Sequence, residues 1–266
     1  MLTGIHVPEN PESAAGLVMA GGLPLGGGTS LMPRLNDHAS PPTELVSLRH
    51  AGLDSVRIDG QTVALGAAVT LSAIERNPDL SVLHQVVRTI AAPPVRSLAT
   101  VAGNLFAPQP YGDLAVALLA LDAELDFADR DGFRTGSLEN FLADDHDHAL
   151  ITQIRFRRPQ GSSFRYLKAA RRRLNSGSVA TIAATIELED QRIAAIRVAL
   201  GGLAPRVIRA HAVEGALRGR RLDADSVETA CREGLDDLDP ADDAYASAWY
   251  RRRVFPVHLR RALLGV

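Results

Sequence analysis

The sequence predicts an α+β chain of 266 residues divided into subdomains. Three observations carry this. Residues up to about 50 hold a strand–helix–strand unit. Residues 53–156 alternate period-two strand patterns with helical runs. The stretch from 179 to 200 reads as a long apolar hairpin with helices after it. Breaks near residues 50 and 157 separate these regions. The expected division is 1–157, parted into 1–50 and 51–157, followed by 158–266.

The elements follow in order. Residues 11–20 read as a short helix, with Pro11 and Glu12 near its start and Leu17, Val18 and Met19 as apolar surface. Leu23-Pro24-Leu25 is a short strand running into a glycine loop. Pro41-Pro42 marks a turn, and Glu44 to Leu48 is a second strand. Val56-Arg57-Ile58 and Val63-Ala64-Leu65 flank Asp59-Gly60, a hairpin turn. A helix starts at Thr70, Pro78 interrupts it, and residues 79–91 are helical again until Pro93-Pro94 closes the run. Asp113 caps or opens a helix whose residues Leu114, Val116 to Leu119 and Leu121 are apolar, so that helix is buried. Strands are expected at Glu124–Phe127 and 149–156, with Asp131-Gly132 as a turn. Val179 to Ile186 and Ile193 to Leu200 form the hairpin, and Gly201 to Arg206 ends it. Helices are expected at about 209–218, 225–234 and 247–264. The last is rich in arginine; both a partner-facing basic surface and a solvated face fit it.

Composition narrows the function. Apolar residues make up 46% and charged residues 23%, as in soluble proteins, and the formal net charge of -2 gives no footing for nucleic acid. No apolar run approaches the ~20 residues that span a bilayer. The first residues lack the order of a secretory signal, so a cytoplasmic location is the default expectation. Cys231, the single cysteine, can form no internal disulfide and cannot alone hold an iron–sulfur cluster, which takes about four thiolates. It reads as a buried structural thiol. Asp144-Asp145-His146-Asp147-His148 has metal-ligating residue types, but they are adjacent and imply no further ligand. A polar surface loop is the preferred reading, and no metal site is assigned.

Two stretches carry the chemistry. Leu25-Gly26-Gly27-Gly28-Thr29-Ser30-Leu31 holds three consecutive glycines, each costing about 1 kcal/mol against alanine in a regular element. Such a loop can aim several N–H groups at one anion, with the Thr29 and Ser30 hydroxyls beside them. Taken alone, the loop is better read as a glycine turn beside a buried strand. No Gly-Lys-Ser/Thr follows, so it is not a nucleoside-triphosphate P-loop. Arg34, just beyond, suits either a phosphate or solvent. The second stretch, Val95 to Leu105, again places small residues, Gly103 and Asn104 in a loop, and Asp113 follows. Two such loops suit the two ends of an extended cofactor.

Together these segments resemble the FAD-binding subunit of the molybdenum hydroxylase family over nearly the whole chain. Leu25 to Pro33 resembles the family's first FAD loop, and Arg96 to Leu105 its second. Asp113 to Asp122 resembles its Asp-Leu-x-x-x-Leu-x-Ala-Leu-Asp-Ala run, and Phe164 to Arg173 its Phe-x-Lys-x-x-x-Arg region. Gly201 to Arg209 resembles Gly-Gly-Val-Ala-x-x-Pro-x-Arg. Pro240 to Asp243 with Ser247, Tyr250 and Arg251 resembles its terminal signature. The resemblance implies a two-subdomain FAD-binding fold of the PCMH type, plus a C-terminal subdomain with a three-stranded antiparallel sheet and helices.

It further implies that Gly26, Gly27, Gly28, Thr29 and Ser30 receive the FAD pyrophosphate, flanked by Leu25 and Leu31. Ala99, Thr100, Gly103, Asn104 and Leu105 line another FAD contact. Asp113 hydrogen-bonds the cofactor, and Lys168 brings a charge to the flavin edge. No catalytic side chain is implied. The partners implied are a molybdenum-cofactor large subunit and a 2Fe-2S small subunit on separate chains, with NAD, a quinone or oxygen as acceptor. Some positions depart from the pattern. Ala102 stands for the first Gly of Gly-Gly-Asn, where a methyl group resists positive φ and shifts the expected turn. Ser97 stands for Asn, Gly26 for Ala, and Ala107 to Gly112 alters the spacing before Asp113. Tyr111 there fits either an approach to the flavin or a cover for the helix start. Two alternatives are a stand-alone flavin reductase of the wider fold, for which no UDP-sugar pocket or proton donor is evident, and a scaffold subunit that has lost FAD, which Ala102 alone favours.

Overall fold

The computed structural model describes residues 2–36, 43–129, 131–144, 149–172 and 176–265. Its elements begin with β1 (Leu2–His6), α1 (Pro11–Met19), β2 (Leu23–Leu25), α2 (Leu31–Leu35), β3 (Thr43–Ser47), β4 (Val56–Asp59), β5 (Thr62–Gly66) and α3 (Leu71–Arg76). There follow α4 (Ser81–Arg88), α5 (Pro93–Arg96), α6 (Val101–Leu105), α7 (Asp113–Ala120), β6 (Glu124–Asp129), β7 (Gly132–Ser137), α8 (Leu138–Ala143) and β8 (Leu150–Arg157). The last are β9 (Phe164–Ala170), β10 (Ser178–Glu189), β11 (Arg192–Gly201), β12 (Ile208–Arg209), α9 (His211–Leu217), α10 (Ala224–Glu233) and α11 (Ala248–Leu264). They gather into two units. One takes residues up to Ser81, Ala92–Ala107 and Ala123–Phe156. The other takes Val82–Ala91, Pro108–Asp122 and the chain from Arg157. Among the described residues no helix is long and apolar enough to cross a membrane.

The first unit carries two sheets. One is parallel, in the order β1-β3-β2. Pro24 lies on its edge strand β2, where a missing N–H need break no interior ladder. The Asn10 side chain accepts the Ser13 N–H at 2.8 Å and starts α1, which buries Ala14, Ala15 and Val18. The other sheet runs β4-β5-β8-β6-β7. Its β4–β5 hairpin turns at Gly60, whose φ is +56°. Phe141 of α8 meets Phe127 and Phe106 edge-on, with ring centroids 5.3 and 5.9 Å apart.

The second unit is an antiparallel sheet in the order β12-β11-β10-β9, with helices against it. The family resemblance implies three strands; the fourth, β12, is only two residues long. Leu114 to Ala120 of α7 are all buried, and α7 packs on β10 and β11, so an all-apolar helix has apolar surface on its neighbours. Ile182, Val198, Leu200, Val213, Val227, Phe255 and Leu259 share one core. Cys231 is buried in it, and burial pushes its thiol up to about 11. Buried Glu214 accepts from Arg209 Nε (3.0 Å) and Nη2 (2.6 Å) and from the Val198 N–H (2.8 Å), fastening α9 to β11 and β12.

Among the described residues, Arg251 is the largest side chain with no exposure. Its Nη1 donates to the carbonyls of Val179 (2.6 Å), Gly202 (2.7 Å) and Ser178 (3.3 Å), and its Nη2 to Asp243 Oδ2 (2.7 Å). Desolvation pushes the Asp243 carboxyl up, but hydrogen bonds from Tyr111, the Tyr245 and Ala246 N–H groups and Arg251 outweigh it and hold the group at about 2. An unfolded aspartate titrates at about 3.9, so this depressed group stabilises the fold above about pH 4, by an amount that solvent screening at its exposed edge reduces. The contribution is lost as pH falls through about 2. In urea melts, Asp243→Asn is therefore expected to lie below the wild type at pH 6, with the gap closing progressively as the pH is lowered below 4.

Candidate functional site

The glycine loop leaves the end of β2 and runs into α2. Gly28 has a φ of +70°, a left-handed conformation that costs an L side chain about 1–2 kcal/mol. Its carbonyl accepts the Met32 N–H at 2.9 Å, closing the turn. The N–H groups of Gly27, Gly28, Thr29 and Ser30 find no acceptor among the described residues. Ser30 also makes no capping bond to α2. Four consecutive donors are therefore free to meet an anion.

The second stretch is helical where a loop was expected. Pro93 opens α5 rather than closing the preceding helix, because proline at a first helical position gives up an N–H that has no partner anyway. Thr100 caps α6, its Oγ1 accepting the Gly103 N–H at 3.1 Å. Ala102 lies inside α6 and is buried, so the methyl group meets no positive-φ position and the scaffold alternative loses its one support. Backbone bonds tie this stretch to the β5–α3 connection: Leu71 N–H to Ala99 O (2.9 Å), Val101 N–H to Val69 O (2.9 Å) and Ala102 N–H to Ala67 O (3.2 Å). Arg96 is buried, with Nε 3.1 Å from Glu75 Oε2.

The two stretches touch, backbone to backbone. A Cβ on Gly27 would lie 1.7 Å from the Leu98 carbonyl oxygen and 2.3 Å from its carbon. A Cβ on Gly26 would lie 2.8 Å from Thr100 Oγ1. Leu25 to Leu31 and Ala99 to Leu105 are thus one construction within the first unit. Asn104 Oδ1 there is buried with no hydrogen-bond partner, a state that costs about 1–3 kcal/mol unless a ligand donor meets it. Open donors on one stretch and an orphaned acceptor on the other fit a polar, anionic cofactor.

Asp113 and Lys168 lie in the second unit and meet each other. Lys168 Nζ is 2.7 Å from Asp113 Oδ2 and 3.0 Å from the Thr89 carbonyl, and Thr181 Oγ1 donates to Asp113 Oδ1 at 2.7 Å. The two charges compensate each other. Tyr166, beside them, hydrogen-bonds Thr89 Oγ1 at 2.9 Å; burial first, then the Asp113 charge, pushes its phenol well above the usual range. Tyr166 and Thr89 escaped sequence reasoning, although Tyr166 lies two residues before Lys168 on the same face of β9. Arg34 lies on an exposed position of α2. Of the Asp144–His148 cluster, residues 145–148 lie outside the described residues, and no metal-ligating cluster occurs among the described ones.

Two family models account for almost the whole chain. The FAD binding domain in molybdopterin dehydrogenase matches residues 3–157, and the CO dehydrogenase flavoprotein C-terminal domain matches residues 165–266. The chain belongs to the FAD-binding medium subunits of the molybdenum hydroxylase family. As a medium subunit it has the general role of FAD-binding electron transfer within a flavoprotein oxidoreductase family. The glyceraldehyde dehydrogenase medium chain of Sulfolobus acidocaldarius is 28% identical over 253 residues, covering 91% of this chain and 90% of its own. The carbon monoxide dehydrogenase medium chain of Hydrogenophaga pseudoflava is 25% identical over 272 residues, covering 97% and 94%. A solved Cu,Mo-CO dehydrogenase in its cyanide-inactivated form superposes with a TM-score of 0.90 at 25% identity, over 99% of this medium subunit and 97% of that chain. Two medium chains named for chemically unrelated substrates thus stand at nearly equal identity, so the likeness singles out no substrate.

Proposed function

We propose that this chain is the FAD-carrying electron-transfer subunit of a molybdenum-containing hydroxylase or dehydrogenase, taking electrons from iron–sulfur clusters and delivering them to an external acceptor such as NAD, a quinone or oxygen. The observation that carries the reading is the run of four unbonded N–H groups from Gly27 to Ser30, packed against the stretch that holds the orphaned Asn104 acceptor. Bound FAD supplies the redox chemistry, exchanging electrons singly or in pairs. The chain supplies binding and orientation. Gly26 to Ser30 hold the pyrophosphate through backbone and hydroxyl donors, and Leu25 and Leu31 shield that loop from water. Ala99, Thr100, Gly103, Asn104 and Leu105 form the second contact, in which Thr100 sets the shape and Asn104 Oδ1 accepts from the cofactor. Asp113 and Lys168 are further FAD contacts, acting as a mutually neutral pair. No side chain of this chain is assigned as a proton donor or nucleophile.

The partners proposed are a molybdenum-cofactor large subunit and a 2Fe-2S small subunit in a cytoplasmic heterotrimer. The names of the relatives as medium chains support this. The test is the visible spectrum of the purified chain before and after added FAD. A flavin band that survives gel filtration is expected; no band and no uptake of FAD overturns the reading. Native co-purification checks the assembly. Recovery of chains bearing molybdenum and 2Fe-2S centres is expected, whereas a monomer that dehydrogenates a substrate unaided rules the assembly out and favours a stand-alone reductase.

A further inference from the structure

Tyr111 occupies the segment whose spacing departs from the family pattern, and the structure places its hydroxyl among charges. It donates to Asp243 Oδ2 and accepts from Arg251 Nη2 at 3.3 Å. Its ring meets Tyr245 edge-on, with centroids 5.4 Å apart. Asp243 is itself fixed, since its Oδ1 accepts the Tyr245 and Ala246 N–H groups at 2.7 and 3.0 Å. Arg251 is anchored by the three carbonyls at Ser178, Val179 and Gly202. The rest of the segment is fastened from the same side. The Gly202 N–H donates to the Pro110 carbonyl at 3.2 Å, and the Val207 N–H to Gln109 Oε1 at 3.0 Å. The Gly112 carbonyl then accepts the Val116 N–H at 2.9 Å, the first bond of α7. Asp113 is the first residue of that helix, and its carboxylate has a place for each oxygen, on Lys168 and Thr181.

We propose that Tyr111 is a positioning residue: clamped by Asp243 and Arg251, it fixes where α7 begins and so holds Asp113 in its pair with Lys168. The C-terminal signature then acts on the Asp113 site through one phenol. Arg251 variants are poor tests, because a buried guanidinium with five acceptors is needed for folding. Tyr111→Phe keeps the ring and removes only the hydroxyl.

The first measurement is amide hydrogen exchange on the purified chain, which does not depend on any cofactor. Tyr111→Phe is expected to speed exchange of the Val116 and Ala117 amides about tenfold while leaving the β10 and β11 amides unchanged, the mark of local opening. No change at Val116 and Ala117, or an equal acceleration throughout β10 and β11, overturns the proposal. The second measurement rests on the FAD reading and uses FAD itself, followed by quenching of its fluorescence. Tyr111→Phe and Asp113→Asn are each expected to raise the Kd about tenfold, and the double variant no further, because residues acting through one another are not additive. Losses that multiply, or FAD affinity untouched in Tyr111→Phe, overturn it. A wild-type chain that binds no FAD is a different result: it removes the cofactor reading, and the exchange measurement still decides the positioning role.

Discussion

Gly27→Ala is expected to abolish retention of FAD while leaving the second unit folded. The added methyl carbon would lie 1.7 Å from the Leu98 carbonyl oxygen and 3.0 Å from the Ala99 nitrogen. Both neighbours are backbone, so no side chain can rotate away, and one of the two stretches must move as a whole. Overpacking of this kind costs about 1–3 kcal/mol in stability. Its effect on binding is larger, because displacement turns the N–H groups of Gly27 to Ser30 away from a shared target. A loss of at least about 100-fold in affinity corresponds to ~3 kcal/mol. The measurement is FAD titration of Gly27→Ala beside the wild type, with circular dichroism to show that the fold persists. Affinity within a factor of about three of the wild type would mean that the glycine loop is not the pyrophosphate cradle.

Arg251→Met is expected to produce the largest loss of stability. The methionine fills much of the volume but takes the guanidinium donors from the Ser178, Val179 and Gly202 carbonyls and the ion pair from Asp243, which keeps only Tyr111 and the Tyr245 and Ala246 N–H groups. Asp243 is part-exposed, so losing its pairing costs less than the ~3–5 kcal/mol of a fully buried pair. Each carbonyl that water cannot reach adds about 1–3 kcal/mol. Against a total of about 5–15 kcal/mol, this brings the chain to the edge of unfolding. Urea denaturation followed by tryptophan fluorescence should show a collapsed midpoint or an insoluble product. Arg251→Lys should recover little, since one ammonium cannot serve carbonyls and carboxylate from two separate nitrogens. Arg253→Met, on an exposed position of the same helix, should fall within about 0.5 kcal/mol of the wild type.

These two residues differ in how far they could be read in advance. The glycine loop is legible because three glycines in a row have no place in a regular element. What their N–H groups meet is not legible, because that depends on Leu98, a residue whose side chain gives no hint of its carbonyl's position. The β4–β5 hairpin and α7 are legible for local reasons, a turn dipeptide between period-two runs and an unbroken apolar helix. β1 escapes notice because its pairing with β3 is parallel and distant in sequence. The stretch from Val95 to Leu105 reads as a loop on propensity. It folds as α5 and α6 because the Thr100 cap and the bonds to the β5–α3 connection override the weak helix formers Val101, Gly103 and Asn104. Arg251 stands in the terminal signature, but its burial is hidden among arginines that read as a partner-facing or a solvated surface. Its spacing from Phe255, Leu259 and Leu263 nevertheless places it on the buried stripe of α11, a periodic signal that composition obscures. Asp243, its partner, carries no such signal.

The burial of α7 against β10 and β11 has a consequence during synthesis. The helix leaves the ribosome well before the strands that cover it, and chains grow at about 5–20 residues per second. For seconds the nascent chain presents seven consecutive apolar side chains with nothing to shield them. A message cut short after residue 157 leaves them so permanently. Expression of the FAD-binding portion by itself should therefore favour aggregates over a smaller soluble domain.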